Sequence, residues 1–348
     1  MAIASARPTV SPAARILVKE VNWLGDLVMS LPALWAVRQT FPQAHLGVLV
    51  REELASFFSL LPWVDCVLSY RLRSRSRWLG SRWELVRNIQ AGTWDVAVLF
   101  PRSFESALWM YLAKVPVRIG VIADARRWLL THPIRVDMKH PGRHQSLGWL
   151  ELVQKALGCG PPSGSIPVVV PRTALPDIVA RELPAGHPFL VFAPGAAYGP
   201  AKQWPVESWR RLARSVVSRG LGCVFVGTAS ERDLCDAIAQ DLGRSAHVVA
   251  GATTLPELAQ LLVHSRGYVG NDSGATHLAG LLGVPTVALF GSTNPVRTAP
   301  LGHRCQVLYD PPDCSPCLAR TCRFGDNHCL RRISPEQVLE ALAKLGSL

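Results

Sequence analysis

The stretch Tyr268-Val-Gly-Asn-Asp-Ser-Gly-Ala-Thr-His-Leu-Ala-Gly-Leu-Leu-Gly-Val-Pro-Thr-Val-Ala-Leu-Phe-Gly-Ser-Thr-Asn-Pro295 narrows the folds open to this chain more than any other. A short apolar entry runs into the small polar turn Asn271–Gly274, and Ala275 to Leu282 continues as a helix that Gly283 and Pro285 stop. Thr286 to Phe290 then reads as a strand that is apolar on both faces, which requires a covered parallel sheet. Two strand ends and one helix N-terminus would face the same crevice. Backbone N–H groups and the positive end of the helix dipole at that turn make a seat for a diphosphate. An ordinary capped helix would carry the same Asn-Asp-Ser-Gly tetrapeptide.

The alternation extends over the whole chain. Strands are expected at Arg15–Lys19, Leu46–Val50, Val64–Leu68, Trp94–Phe100, Val117–Ile119 and Ile134–Val136, with helices at Leu27–Gln39, Glu53–Leu60, Ser106–Ala113 and Ser146–Leu157 between them. Pro32 is expected within the first turn or two of its helix, where a missing N–H is tolerated. Gly158 to Pro188 is rich in Pro and Gly and reads as a connector. A second series follows, with strands at Phe189–Ala193, Gly222–Val226 and His247–Val249, and helices at Val206–Arg219, Glu231–Leu242 and Leu255–Leu262. The pattern predicts an α/β protein of two Rossmann-like domains, residues 1–175 and 176–333. A last amphipathic helix in 334–348 is expected to pack back on the N-terminal domain. No Gly-x-Gly-x-x-Gly follows either first strand, which argues against a nicotinamide or flavin dehydrogenase.

At 348 residues there is room for two cores, and with 18% charged residues the chain is a packed protein. No apolar run reaches the roughly 20 residues of a membrane helix, and no signal peptide is evident, so the cytoplasm is expected. The net charge of +12 calls for a polyanionic partner: nucleic acid, an anionic membrane or a phosphorylated substrate. No nucleic-acid-binding signature accompanies it. The segment Tyr70 to Arg87 carries Arg71, Arg73, Arg75, Arg77, Arg82 and Arg87, either as a solvated basic face or as a site for an anionic surface. Cys314-x-x-Cys317 with Cys322 and Cys329 leaves three readings open: structural zinc, a redox-sensitive pair, or buried and free thiols.

In the second half, Pro194-Gly-Ala-Ala-Tyr-Gly-Pro-Ala-Lys-Gln-Trp-Pro205 follows a strand and precedes a helix. Its glycines permit close backbone approach, and Lys202 can bring an ammonium to phosphates or be a plain surface lysine. Glu231, opening another helix, stands where a carboxylate takes ribose hydroxyls, though a first-turn Glu also simply suits the helix dipole. These segments, with Asn271-Asp-Ser-Gly-Ala-Thr-His277 and Asn22-Trp-Leu-Gly-Asp26, resemble the ADP-heptose:lipopolysaccharide heptosyltransferases of glycosyltransferase family 9. The Gly-Pro-Ala-Lys form is most similar to the heptosyltransferase II branch. The likeness spans about Ile16 to Leu345.

The resemblance implies the GT-B fold, two Rossmann-like domains with parallel sheets facing each other across a cleft. It implies an inverting transfer of L-glycero-D-manno-heptose from ADP-heptose to the first heptose of the lipopolysaccharide inner core, heptosyl-Kdo2-lipid A. Tyr198, Lys202, Asp272, Ser273, Gly274, Ala275, Thr276 and His277 would hold the donor's phosphates and sugar, Glu231 the ribose, with Thr253 beside the adenine. Asp26 would be the base that inversion needs, its alternative role being an N-cap. Asn22, Trp23, Arg71, Arg73, Arg102, Arg126 and Arg127 are the candidates to bind the acceptor. ADP-heptose is itself the donor, so no cofactor is expected. The absence of Asp-x-Asp, with Lys202 and a helix N-terminus to meet leaving-group charge, predicts no catalytic metal. The implied protein is a monomer at the cytoplasmic face of the inner membrane, with no nucleic-acid partner.

Overall fold

The computed structural model describes residues 7–71, 78–172, 175–180 and 186–348. Arg73, Arg75 and Arg77 lie outside them. The chain divides into two compact units, Met1–Val169 and Val170–Leu348, so the boundary falls six residues before the expected 175.

The first unit holds a parallel sheet of β1 (Arg15–Lys19), β2 (His45–Arg51), β3 (Cys66–Tyr70), β4 (Val96–Leu99), β5 (Val117–Val121) and β6 (His132–Ile134), in the order β3-β2-β1-β4-β5-β6. Val18 of the central strand pairs with Val48 on one side and Val98 on the other. All three are fully buried, as expected of a sheet covered on both faces. The order reverses between β1 and β4, and at such a switch point the loops leaving the strand ends diverge and open a crevice.

The helix after β1 runs from Leu24 to Thr40, three residues earlier than the periodicity suggests. Pro32 is therefore its ninth residue, in the interior, where the ring leaves the Val28 carbonyl without its helical donor. Packing overrides this local penalty: Leu27, Leu31 and Leu34 are fully buried, and the helix lies against Ser146–Leu157.

The second unit repeats the plan with β7 (Phe189–Ala193), β8 (Gly222–Phe225), β9 (Ala246–Val248), β10 (Gly267–Asn271), β11 (Thr286–Leu289) and β12 (Cys305–Leu308), all parallel, in the order β12-β11-β10-β7-β8-β9. Its switch point lies between β7 and β10. β12 is not evident from sequence, because it is a half-buried edge strand without an apolar run. The last helix, Pro335–Lys344, belongs to the second unit. Val338, Ala341 and Leu342 bury its apolar face in the second unit's core, against the Val206–Val217 helix and β11.

Candidate active site

In the second unit, β10 ends at Asn271 and the helix Gly274–Leu281 begins three residues later. Asn271 is fully buried and fixes the neighbouring loop: its amide donates to Pro194 O at 2.6 Å, and its Oδ1 accepts from Trp204 N at 3.1 Å. The helix N-cap, Ser273, makes no side-chain capping bond. Ser273, Gly274 and Ala275 are half-exposed, and the first-turn amides of a helix have no partner within the helix. That is the arrangement of an anion seat.

Asp272, Thr276 and His277 have partners within the fold. All three are buried. Thr276 Oγ1 donates to Asn271 O at 2.5 Å and lies 3.0 Å from the Tyr268 hydroxyl, tying helix to strand. Asp272 Oδ2 accepts from Lys202 Nζ at 2.6 Å and Thr293 Oγ1 at 2.7 Å, while His277 Nε2 stands 3.8 Å from Oδ1. Burial by itself would raise the Asp272 carboxyl, yet His277 and the Lys202 ammonium outweigh it and hold it down at about 2. An ionised Asp272 thus fixes Lys202 beside the turn. Thr293, from the loop after β11, is a member of this set that sequence reading misses, although it lies in the same strand-end motif.

Lys202 also lies 5.0 Å above the Tyr198 ring, and the Arg320 guanidinium sits 5.0 Å from that ring as well. The Tyr198 hydroxyl donates to Leu318 O at 2.9 Å. Arg320 is a second cation at this corner, and no motif announces it because it lies in the cysteine-rich loop. That loop is a buttress: Ala201 N donates to Arg320 O, Asn327 donates to Pro200 O and Gln203 O, and Leu318 N donates to Ser292 O. Gly199 is required at the contact, since a Cβ there would lie 2.4 Å from Arg320 O. Cys314, Cys317, Cys322 and Cys329 are free and line one small cavity with Ala201 and Ser292. Among the described residues no three His, Cys, Asp or Glu side chains come together as ligands for an ion, so the zinc reading of these cysteines finds no ligand set.

Glu231 caps its own turn and also reaches the neighbouring loop. One oxygen accepts from Thr228 N and Thr228 Oγ1, at 2.7 and 2.9 Å. The carboxyl lies over Gly195, where a Cβ would come within 2.2 Å of Oε1. Gly251 N donates to Gly227 O at 2.8 Å, which brings the turn bearing Thr253 beside the Glu231 loop. The carboxylate, Gly195 and the Thr253 turn are therefore assembled along the C-terminal ends of β7, β8 and β9.

The first unit has its own polar cluster at the end of β1. Asp26 is the third residue of its helix and is not the N-cap; Trp23 holds that position without a side-chain bond. Asp26 is half-exposed, and Gln145 Nε2 donates to its Oδ1 at 3.0 Å. Asn22 Oδ1 accepts from the Tyr70 hydroxyl at 3.0 Å and from Lys19 Nζ at 3.3 Å, and Trp23 is exposed. Beneath them lie Lys19 and Glu20, both buried, the pair that sequence reading passed over. Lys19 donates to the Glu20 carbonyl and lies 5.0 Å from the Tyr70 ring. Glu20 Oε2 accepts from Ser30 Oγ at 2.9 Å, whereas Oε1 has no partner among the described residues. Burial lowers the Lys19 ammonium to about 7 and raises the Glu20 carboxyl to about 7. The available signal was a Lys-Glu dipeptide directly after an apolar central strand.

Of the expected acceptor arginines, Arg126 is excluded as a contact. It is fully buried and donates to Val121 O, Pro101 O, Ser103 O and Ser106 Oγ at 2.7 to 3.1 Å. It braces the loops after β4 and β5. Arg71 is exposed and pairs with Glu52 at 2.8 Å. Arg127 is exposed and Arg102 half-exposed.

Residues 82–328 match the family model described as glycosyltransferase family 9 (heptosyltransferase). Lipopolysaccharide heptosyltransferase 2 of Escherichia coli (strain K12) is 28% identical over 95% of this chain and 98% of its own length. Lipopolysaccharide heptosyltransferase 1 of Pseudomonas aeruginosa is also 28% identical, over 94% and 97%. The solved structure of E. coli ADP-heptose lipopolysaccharide heptosyltransferase II superposes with a TM-score of 0.78 at 26% identity, covering 95% of this chain and 98% of that one. Two Rossmann-type units, a family match over most of the chain and a GT-B structural neighbour agree: this protein belongs to glycosyltransferase family 9, the heptosyltransferases.

Proposed function

We propose that this protein transfers L-glycero-D-manno-heptose from ADP-heptose to the first heptose of the lipopolysaccharide inner core, with inversion at the anomeric carbon. One observation carries the reading. The amides of Ser273 to Ala275 form an uncapped, half-exposed helix start beside Lys202, with Arg320 a second cation on the same Tyr198 ring, which suits a diphosphate leaving group. The likeness to proteins named for ADP-heptose and for lipopolysaccharide supports the choice of donor and acceptor.

In the proposed step the acceptor hydroxyl oxygen bonds to heptose C1 as the bond from C1 to the diphosphate oxygen breaks. ADP leaves with the electron pair, and Asp26 takes the hydroxyl proton. Glu231 accepts from the ribose hydroxyls and the Thr253 turn walls the adenine. No further cofactor enters, since the donor already carries the activated sugar. The protein acts as a monomer at the cytoplasmic face of the membrane that holds the acceptor. No helix among the described residues is long and apolar enough to cross that membrane.

The test is incubation with ADP-heptose and either Kdo2-lipid A or heptosyl-Kdo2-lipid A, with products read by mass spectrometry. Heptose added only to the heptosylated acceptor is the expected result. Transfer to Kdo2-lipid A instead would favour the heptosyltransferase 1 reading, which the Pseudomonas relative supports equally by identity. Transfer to neither would overturn both.

A further inference from the structure

The first unit carries a cluster of aromatic side chains that its core does not use. Trp128 is 64% exposed, Tyr111 45% and Phe104 36%. They are one patch, because the Trp128 ring centre lies 6.0 Å from that of Phe104, tilted to it, and 6.1 Å from that of Tyr111, edge-on. The fold brings them together from two segments: Phe104 and Tyr111 lie on the helix Phe104–Leu112 after β4, and Trp128 on the turn Arg127–Leu129 after β5. Buried Arg126, next to the Trp128 turn, binds the Pro101 and Ser103 carbonyls just before the helix and the Val121 carbonyl at the end of β5, and so ties the loops after β4 and β5 together.

Large exposed aromatics in contact with one another hide little area from water and call for a partner. The partner's charge can be read from the surrounding side chains. Arg127 adjoins Trp128, Arg102 precedes Phe104 by two residues, and exposed Lys114 follows the turn at Tyr111. Arg118 lies 5.4 Å from the Tyr111 ring. On the acidic side, Glu105 is paired with Arg82 at 2.5 Å, leaving Asp124 as the exposed carboxylate of these loops. Amphipathic aromatic rings ringed by cations match the headgroup layer of an anionic bilayer, where Trp and Tyr rings settle and basic side chains meet phosphates.

We infer that Phe104, Tyr111 and Trp128, with Arg102, Lys114 and Arg127 around them, form the surface by which the protein docks on an anionic lipid bilayer. The inference rests on the proposed function only in that a lipid-borne acceptor requires such docking. Phe104 stands where the loop after β4 leaves the sheet, the strand end that also bears the Asn22–Asp26 turn, and the patch runs from there along the helix to Tyr111 and Lys114 beside the start of β5, where Arg118 binds the Leu129 carbonyl.

The experiment is co-sedimentation of the full chain with vesicles of phosphatidylcholine alone and of phosphatidylcholine with phosphatidylglycerol. Wild type, Phe104→Ser/Trp128→Ser and Arg102→Ala/Arg127→Ala are compared at low and high salt. Wild type should bind the anionic vesicles at least tenfold better than the neutral ones, and each double variant should lose about tenfold. Transfer to a deacylated, water-soluble acceptor is measured in parallel. There the aromatic variant should match wild type, which shows that it is folded and that the patch does not hold the sugar. Wild-type binding by the aromatic variant, or no vesicle binding by wild type, would overturn the inference even if soluble transfer proceeds. A raised KM for the soluble acceptor would reassign the patch to the acceptor sugars, and a self-associating wild type made monomeric by the substitutions would reassign it to a second copy of the chain. Failure of soluble transfer by wild type would instead count against the proposed function.

Discussion

Lys202 Nζ lies 2.6 Å from Asp272 Oδ2, joining two strand-end loops seventy residues apart in the chain. Both side chains are largely shielded from water, so the pair couples loop order to the charge offered to a phosphate. Replacing Lys202 by Met removes one partner and leaves a buried carboxylate with Thr293 and His277. We expect a loss of about 3 kcal/mol in stability, within the range for breaking buried pairs. Donor affinity, read by titration calorimetry with ADP, should fall as well. The sign of the pH effect follows from Asp272. Its carboxyl is depressed to about 2 in the folded state, so its stabilisation is present above the ordinary carboxylate range and is lost as pH falls toward 2. Without Lys202 the acid-unfolding midpoint should move to higher pH.

Asp26 separates chemistry from binding. In Asp26→Asn the amide can keep a hydrogen bond to Gln145 but cannot take a proton. Turnover should drop roughly 10²- to 10⁴-fold with donor affinity unchanged. Steady-state transfer assays beside calorimetry check this, and near-normal turnover would remove Asp26 as the base.

The buried Lys19-Glu20 pair predicts an unusual pH profile of stability. Glu20 has a folded-state pKa raised to about 7, so the native state holds the extra proton between the ordinary carboxylate value and 7, and stability falls as pH rises through that window. Lys19, lowered to about 7, is bound more tightly by protons in the unfolded chain above that value, so stability rises again toward alkaline pH. A minimum near neutrality is expected. Glu20→Gln should remove the falling limb and stabilise the protein at pH 8 by on the order of 1 to 3 kcal/mol. Urea unfolding at pH 5, 7 and 9 reads both effects.

Arg126→Met should destabilise by about 3 to 5 kcal/mol, because the Val121, Pro101 and Ser103 carbonyls lose a charged donor inside the fold. If Arg126 instead bound the acceptor, the variant would keep its stability and show only a raised acceptor KM.

Gly195→Ala places a methyl where the Glu231 carboxyl lies. The Glu231 side chain must swing away, and the expected result is roughly a tenfold rise in donor KM with little change in kcat, if Glu231 holds the ribose. Unchanged donor KM would release Glu231 from that role.

Most of the architecture was legible because parallel strands buried on both faces read as short apolar runs between turn signals. β1 and β7 have the bounds their sequences suggest. β12 was not legible, since a half-buried edge strand lacks that signature. The helix bearing Asp26 starts earlier than its periodicity shows, because tertiary packing supports a turn without a side-chain cap and a Pro in its interior. Family motifs pointed to the Pro194–Pro205 loop, the Ser273 turn and Asp26 by residue type. They did not distinguish side chains that face a ligand from those that support the turn beneath.

The sequence by itself determined which residues form two parallel α/β units and where their strand ends carry small, polar and basic side chains, for these depend on local pattern and composition. Only the tertiary structure decided that Asp272 secures Lys202, that Arg320 joins the same corner, that Arg126 is a buried brace and that Trp128 remains exposed. Burial and charge pairing arise between residues distant in the chain, and a one-dimensional pattern does not specify which of them meet.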